Sequence, residues 1–226
     1  FVILSYIPIQ DPKNSKTGTN VTFEYSPWNF RHFVLGAIAI FVYVGVEVGI
    51  PGTLIYYLSD TTGLGGGLPK ATATAIAASV AATYWFLMLI GRFIAGFIAS
   101  KISSKTLMSC TTILAMILIT TAIVLGKSAA VSMPAFTGSA FNMVVVPVSA
   151  LLLVLCGLCT SVMWPCIFNL ATEGLGKYTE PASGIFMMMV VGGGLLPLLQ
   201  NFIADQSGYL VSYFVPLAGV AYMCFY

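Results

Sequence analysis

Long apolar stretches separated by short polar connectors dominate the chain. A membrane-spanning helix needs roughly 20 apolar residues, and most of these stretches are at least that long. The pattern places spans at about residues 30–58, 71–99, 106–125, 143–171 and 182–203, with a sixth from residue 209 onward. None of them alternates with a period of two, so the pattern predicts an all-α polytopic membrane protein rather than a closed barrel.

The first 26 residues differ from the rest. Residues 1–9 (FVILSYIPI) indicate the end of an earlier apolar helix, and residues 10–26 are polar and typical of a connector. We therefore divide the chain into residues 1–26 and a six-helix bundle over residues 27–226. Because the sequence starts in one apolar run and stops in another, we expect it to be part of a longer protein.

Composition shows which solvent the fold needs. The chain is 58% hydrophobic and 7% charged, whereas a soluble domain typically carries about 25% charged residues. A soluble core of this length could not hide so much apolar surface, so we expect the lipid bilayer as a partner. The net charge of +2 gives no reason to expect nucleic acid as a partner.

The basic residues indicate how the bundle is oriented. One set of connections carries seven of them: Lys13, Lys16, Arg31, Arg92, Lys101, Lys105 and Lys177. The other set carries two, Lys70 and Lys127. Because cytoplasmic loops are enriched in Lys and Arg, the first set is predicted to face the cytoplasm. The first complete helix then leaves the cytoplasm and the sixth returns to it.

Glu47 is the one acidic residue placed inside the first span. It lies about 24 Å along the helix from Arg31 at 1.5 Å per residue, which is close to the bilayer centre. A carboxylate at that depth is costly, so it is a candidate functional residue. Gly49, Pro51 and Gly52 follow, and we expect Pro51 to kink or break the helix beside the acid. The alternative is a glutamate satisfied by a neighbouring helix beside a packing kink.

Hydrogen-bonding and aromatic side chains accompany Glu47. Tyr43 lies one turn away on the same face, since residues four apart are neighbours on a helix. Further candidates lie in the second, fourth and fifth spans: Tyr84, Thr160, Trp164, Gln200 and Asn201. The last two are placed to line an outer vestibule or simply mark the approach to water. This mixture suits a sugar, which has hydroxyls around its edge and C–H groups on its faces; ordinary packing or interfacial anchoring is the alternative.

A second group of charges lies at the cytoplasmic side. Arg92 falls inside the membrane end of its helix, where it can snorkel or pair. Glu173, at the cytoplasmic end of the fourth span, is its expected partner, and Lys101 lies nearby in the sequence. We interpret Arg92, Lys101 and Glu173 as a latch between helices rather than a substrate site.

Other chemistry has little support in the sequence. The sole histidine, His32, lies at a membrane boundary, and no Ser/His/Asp array or zinc-ligand spacing is present. Cys156 and Cys159 form a CxxC inside an apolar run, where small packing residues are the simpler interpretation. We therefore expect neither an enzyme nor a metal site.

Three stretches resemble a known family. FVYVGVEVGIPGTLIYYL (residues 41–58) is similar to the seventh helix of major facilitator transporters of the fucose permease and glucose/galactose group. YWFLMLIGRFIAGFIASKISSKTL (residues 84–107) resembles their eighth helix and the following loop. SVMWPCIFNLATEGLGKYTEPASGIFMMMVVGGGLLP (residues 161–197) resembles their tenth and eleventh helices. The resemblance runs in the correct order from residue 30 onward.

The resemblance implies the C-terminal six-helix half of a twelve-helix secondary active transporter with 3+3 inverted repeats. It implies proton-coupled uptake of a monosaccharide of the fucose, glucose or galactose class at the bacterial inner membrane, with the N-terminal half as a partner. No cofactor besides the coupled proton is expected. The main proton-coupling carboxylates belong to the other half in that family, and fucose permease has a neutral amide where Glu47 stands. We therefore expect Glu47 to bind substrate rather than carry the proton.

Two alternatives to sugar uptake stay open at this point. Facilitators with aromatic cavities also export amphiphilic or drug-like compounds. A membrane module without transport activity, such as a sensor, is the other possibility.

Overall fold

The computed structural model describes residues 24–98 and 101–226 of the chain. The expected end of a preceding helix (residues 1–9) and most of the connector (residues 10–23) lie outside these described residues. The division of the chain at residue 26 therefore stays a prediction.

Helices make up most of the described chain. The elements are α1 (Arg31–Ser59), α2 (Ala73–Ile98), α3 (Ser104–Leu125), β1 (Ala130–Phe136), β2 (Phe141–Pro147), α4 (Val148–Thr160), α5 (Met163–Thr172), α6 (Thr179–Met189), α7 (Gly192–Ser207), α8 (Tyr209–Ser212) and α9 (Phe214–Phe225). Five stretches are long and apolar enough to cross a membrane: α1, α2, α3, α4 with α5, and α6 with α7. The helices α8 and α9 form a shorter sixth apolar segment, so the predicted arrangement of six apolar segments is confirmed.

The helix α1 continues without interruption through Pro51. Of the two predicted outcomes beside Glu47, the break is therefore wrong, and the kink at Pro51 stays a prediction. Neighbouring helices support this region, because the Tyr213 hydroxyl donates a hydrogen bond to the backbone oxygen of Ile50 at 3.0 Å. Support from neighbouring helices is one reason why membrane helices tolerate proline.

The interrupted spans are the fourth and the fifth. The fourth is divided at Ser161 and Val162, between α4 and α5. Pro165 has no N–H to donate to the carbonyl of Ser161, which accounts for a break at this point. The fifth is divided just before the glycine triplet that begins α7. Pro197, in contrast, is accommodated inside α7.

A two-stranded antiparallel hairpin precedes the fourth span. It pairs Ala130 with Pro147 at one end and Phe136 with Phe141 at the other. The fourth span therefore begins at Val148 rather than near residue 143. The run of valines explains the difference, because an apolar run alone does not distinguish a strand from a helix, and β-branched residues favour strands.

The helix α1 occupies the centre of the bundle, where α2, α5, α7 and α9 pack around it. Its contact with α7 depends on Gly192. A Cβ atom at this position would collide with the backbone oxygen of Phe41. Close approach of two backbones through a small residue is the usual way in which membrane helices pack.

The glycine triplet supplies a matched test of this packing. Replacing Gly192 with alanine is expected to destabilise the protein by about 1–3 kcal/mol, because α7 must move away from α1. Gly194 has open space where its Cβ would be, so Gly194→Ala is expected to be neutral or to stabilise by up to about 1 kcal/mol. Thermal unfolding of the two purified variants measures the difference, and equal midpoints would contradict the packing described.

Candidate functional site

Three of the predicted site residues meet where α1, α2 and the end of α4 come together. The Tyr43 hydroxyl donates to the backbone oxygen of Thr160 at 3.1 Å. The hydroxyl oxygens of Tyr84 and Thr160 are 3.0 Å apart. The Thr160 hydroxyl is also 3.2 Å from the backbone oxygen of Cys156, to which it can donate, so Tyr84 is the donor of the remaining bond. Thr160 ends α4, where helix carbonyls need partners from outside the helix.

Two glycines allow α2 and α4 to approach closely at this cluster. A Cβ atom on Gly157 would collide with the backbone oxygen of Tyr84. Likewise, a Cβ atom on Gly91 would collide with the hydroxyl of Ser161. Because neither helix can carry a larger residue at these points without moving, the two glycines fix the separation on which the Tyr84–Thr160 bond depends.

Glu47 forms an ion pair with Arg92 of α2. Their atoms Oε1 and Nη2 are 3.3 Å apart, and the side chains are 14% and 55% exposed, respectively. The structure thus compensates a mostly buried carboxylate inside the membrane with a guanidinium from the adjacent helix. Charged residues within membrane spans commonly pair in this way and mark functional sites.

This pairing corrects the prediction that Arg92 contacts Glu173. Glu173 caps the end of α5 and is exposed, so its carboxylate can be solvated without a partner. Glu47 is mostly buried, and α2 packs directly against α1, so the guanidinium compensates this acid instead. Lys101 is also exposed, and the latch role of Lys101 and Glu173 stays a prediction.

Trp164 connects the cluster to a cavity. Its ring centroid is 6.0 Å from that of Tyr43, in an edge-to-face arrangement. The cavity has a volume of about 550 Å³ and is lined by Trp164, Arg92, Ser161, Ser104 and Asn169, among other residues. Pockets for small molecules typically measure roughly 300–1,000 Å³, so this one has a suitable size.

The sequence reasoning missed two polar residues of this cavity. The Asn169 amide donates to the Ser104 hydroxyl at 3.4 Å, which joins α5 to the start of α3. Asn169 lies in an apolar helix that also contains Trp164, and an amide within a membrane span is a signal that could have identified it. No sequence signal would have identified Ser104, because serine is ordinary at the start of a helix.

The predicted vestibule residues lie at the contact between α7 and α1. Gln200 is 1% exposed, and a Cβ atom on Gly49 would collide with its side-chain oxygen. Asn201 accepts a hydrogen bond from the Thr53 hydroxyl at 3.1 Å. Gln200 therefore does not line an open vestibule, because its side chain is buried against α1, where Gly49 leaves room for it. Within the described residues its Nε2 atom has no hydrogen-bond partner.

The Tyr43 hydroxyl provides a test of how the cluster is held. Replacing Tyr43 with phenylalanine removes the bond to the Thr160 carbonyl, and a net loss of about 0.5–1.5 kcal/mol in unfolding free energy is expected. The exposed Tyr56 of the same helix is the control, and Tyr56→Phe should unfold like the parent. If both variants unfold like the parent, the bond does not stabilise the site.

Comparison with known proteins found relatives that are named as sugar transporters. No family model matches it. It is 32% identical to a glucose/galactose transporter of Brucella abortus over 225 residues, which are 100% of this chain and 48% of that protein. It is 25% identical to the L-fucose-proton symporter of Escherichia coli over 178 residues, 79% of this chain and 35% of that protein.

A solved structure shows the same fold. It is a major facilitator superfamily transporter, FucP, in the outward conformation, with a TM-score of 0.69 and 20% sequence identity. The match covers 99% of this chain and 49% of that one. The chain thus spans about half the length of the relatives that it matches. The apolar helices, the fold and the relatives agree: this is a multi-pass membrane protein with half of a major facilitator fold, and its sequence is similar to those of glucose/galactose transporters and of the fucose-proton symporter.

Proposed function

We propose that the chain is the C-terminal six-helix half of a proton-coupled monosaccharide transporter of the bacterial inner membrane. Its substrate is a sugar of the glucose, galactose or fucose class, which its relatives are named for transporting. The observation that carries the proposal is the Glu47–Arg92 pair inside the bundle, next to the cluster of Tyr43, Tyr84 and Thr160. The relatives are transporters, and we propose no catalytic activity, metal or organic cofactor.

The ion pair gives Glu47 the properties of a sugar ligand. A carboxylate offers about four lone-pair positions, and one contact with Arg92 leaves others for sugar hydroxyls. Hydrogen bonds to an ionised acceptor are roughly twice as strong as neutral ones. The guanidinium fixes the carboxylate in place, so the site is ordered before the sugar arrives and less free energy is spent on ordering it.

The aromatic residues complete the recognition of a sugar. Trp164 is half-buried, so part of its ring is open to the cavity, and Tyr43 packs edge-to-face on it. A flat apolar ring suits the C–H face of a pyranose, while Glu47 binds hydroxyls at its edge. The N-terminal half would cover the opposite side of the sugar, and we assign the coupling proton to carboxylates of that half.

Uptake measurements in cells that express the full-length transporter test this function. Radiolabelled glucose, galactose and fucose are offered with and without a protonophore, and cells with an empty vector are the control. We expect saturable uptake of at least one sugar, abolished by the protonophore and inhibited by the unlabelled sugar. An uptake rate that is unchanged by the protonophore would contradict proton coupling. Absence of uptake together with efflux of an amphiphilic dye would favour an exporter.

A further inference from the structure

The hairpin of β1 and β2 presents two apolar faces. Residues opposite each other in an antiparallel pair point to the same side of the sheet. One side buries Met133, Ala135 and Val146 against the bundle. The other side exposes large apolar side chains: Phe136, Phe141, Met143 and Val145. We call these four residues the outer hairpin face. No charged residue occurs between Ser128 and Thr172.

The hairpin lies along the first turns of α2, at the end predicted to be outside the cell. The backbone N–H of Phe136 donates to the Ser79 hydroxyl at 2.8 Å. Ser79 is about 9 Å along α2 from Ala73, and a helix of 26 residues is about 39 Å long. The hydrocarbon core is about 30 Å thick, so Ser79 lies near its outer boundary. The hairpin therefore reaches the level of the membrane surface.

Neither water nor lipid suits the outer hairpin face. Phe141 is 76% exposed, and contact of several large apolar side chains with water is unfavourable. Lipid hydrocarbon would accept the apolar side chains. Within the described residues, however, the sheet has two strands, so each strand has one edge whose backbone N–H and C=O groups are not paired with another strand. Open sheet edges do not occur against lipid hydrocarbon, because their polar groups would have no partners. A protein surface can satisfy both the side chains and the edges.

We propose that the outer hairpin face packs against the outer end of the other half of the transporter. The chain spans about half the length of its relatives, so a second half of similar size is available in the same protein. The contact rests on the proposed function, in which that half is the partner. The partner surface is apolar, with backbone or side-chain groups that pair with the strand edges. The contact closes a gap between the halves on the outer side of α2.

Photo-crosslinking in the full-length protein identifies what covers this face. The photoreactive amino acid p-benzoylphenylalanine replaces Phe141, and in a matched control it replaces Val124. Val124 lies at the outer end of α3 and is 77% exposed, so it should meet lipid. After irradiation in membranes, mass spectrometry identifies the adducts. We expect peptides of the other half to be crosslinked several-fold more from position 141 than from position 124.

Three outcomes would overturn the proposal: adducts with lipid at both positions, adducts with a second copy of this chain, or no adduct at position 141. Sugar uptake by each protein that carries the photoreactive amino acid is measured in parallel. Because the crosslink is formed without added sugar and read by mass spectrometry, loss of the proposed transport function and loss of the proposed contact are distinguishable. A protein that transports sugar but forms no crosslink from position 141 to its other half would contradict the contact alone.

Discussion

Replacing Glu47 with glutamine in the full-length transporter is expected to lower kcat/KM for sugar uptake by about tenfold or more. Hydrogen bonds to a charged group contribute about 1.5–3 kcal/mol, and 1.4 kcal/mol corresponds to a factor of ten. Glutamine keeps the shape of the side chain but removes the charge. It also leaves Arg92 without its counter-charge inside the membrane, which adds to the loss. Initial rates of labelled sugar uptake over a range of concentrations measure the effect.

Asp60 supplies the control for this variant. It follows α1 at the outer end, and its carboxylate accepts a hydrogen bond from the Thr62 backbone N–H at 2.7 Å. That bond lowers the pKa of the Asp60 carboxyl below its usual value, so the group stays ionised across the pH range of an uptake assay. Asp60→Asn should therefore change neither the rate nor its pH dependence. Equal losses in the two variants would contradict a specific role for Glu47.

The pH dependence separates two roles for Glu47. If Glu47 binds sugar and the other half carries the proton, Glu47→Gln should still need the pH gradient, with a higher KM. If Glu47 carried the proton, the variant would lose its response to the gradient but still exchange sugar across the membrane. The ion pair with Arg92 leads us to expect the first result, because a carboxylate positioned by a guanidinium is ready to accept hydrogen bonds from sugar hydroxyls.

Gly157→Ala is expected to have the second large effect. The added methyl group would collide with the backbone oxygen of Tyr84, so α2 and α4 must separate. We expect a loss of about 1–3 kcal/mol in stability. The bond between Tyr84 and Thr160 should lengthen or break, and sugar uptake should fall with it. Thermal unfolding and uptake are measured on the same protein preparation.

Gly184→Ala is the matched control. Gly184 is a helical glycine of α6 with open space where its Cβ would be, so this substitution should leave uptake unchanged. A Gly157→Ala protein that unfolds and transports like Gly184→Ala would show that the close approach of α2 and α4 is not required. A Gly157→Ala protein that is destabilised but transports normally would show that the close approach of α2 and α4 stabilises the fold but is not needed for transport.

The membrane spans could be predicted from the sequence because a span is recognised by the length of its apolar run. The runs that became α1 and α3 are bounded by polar residues, and their predicted ends agree with the structure within about two residues, the usual uncertainty at helix ends. The hairpin was missed because Val144 to Val146 continue the apolar run of the fourth span without a polar residue between them. Composition does not show where a strand ends and a helix begins.

The contacts of the site were harder to predict than its members. Tyr43, Tyr84 and Thr160 were selected individually, but the bonds between them depend on how closely α2 and α4 approach. The Glu47–Arg92 pair joins residues 45 positions apart, and several acids and bases were available as partners in the sequence. Gln200 looked exposed because it is polar and near a helix end, whereas its burial depends on a glycine in another helix.

Equilibrium binding of sugar to the purified full-length transporter tests the central claim most directly. The claim is that Glu47, held by Arg92, binds the sugar. The Kd of Glu47→Gln is expected to be about tenfold or more above that of the parent, for the hydrogen-bond energies given above, while Asp60→Asn binds like the parent. A Glu47→Gln protein that binds sugar with an unchanged Kd would contradict the claim.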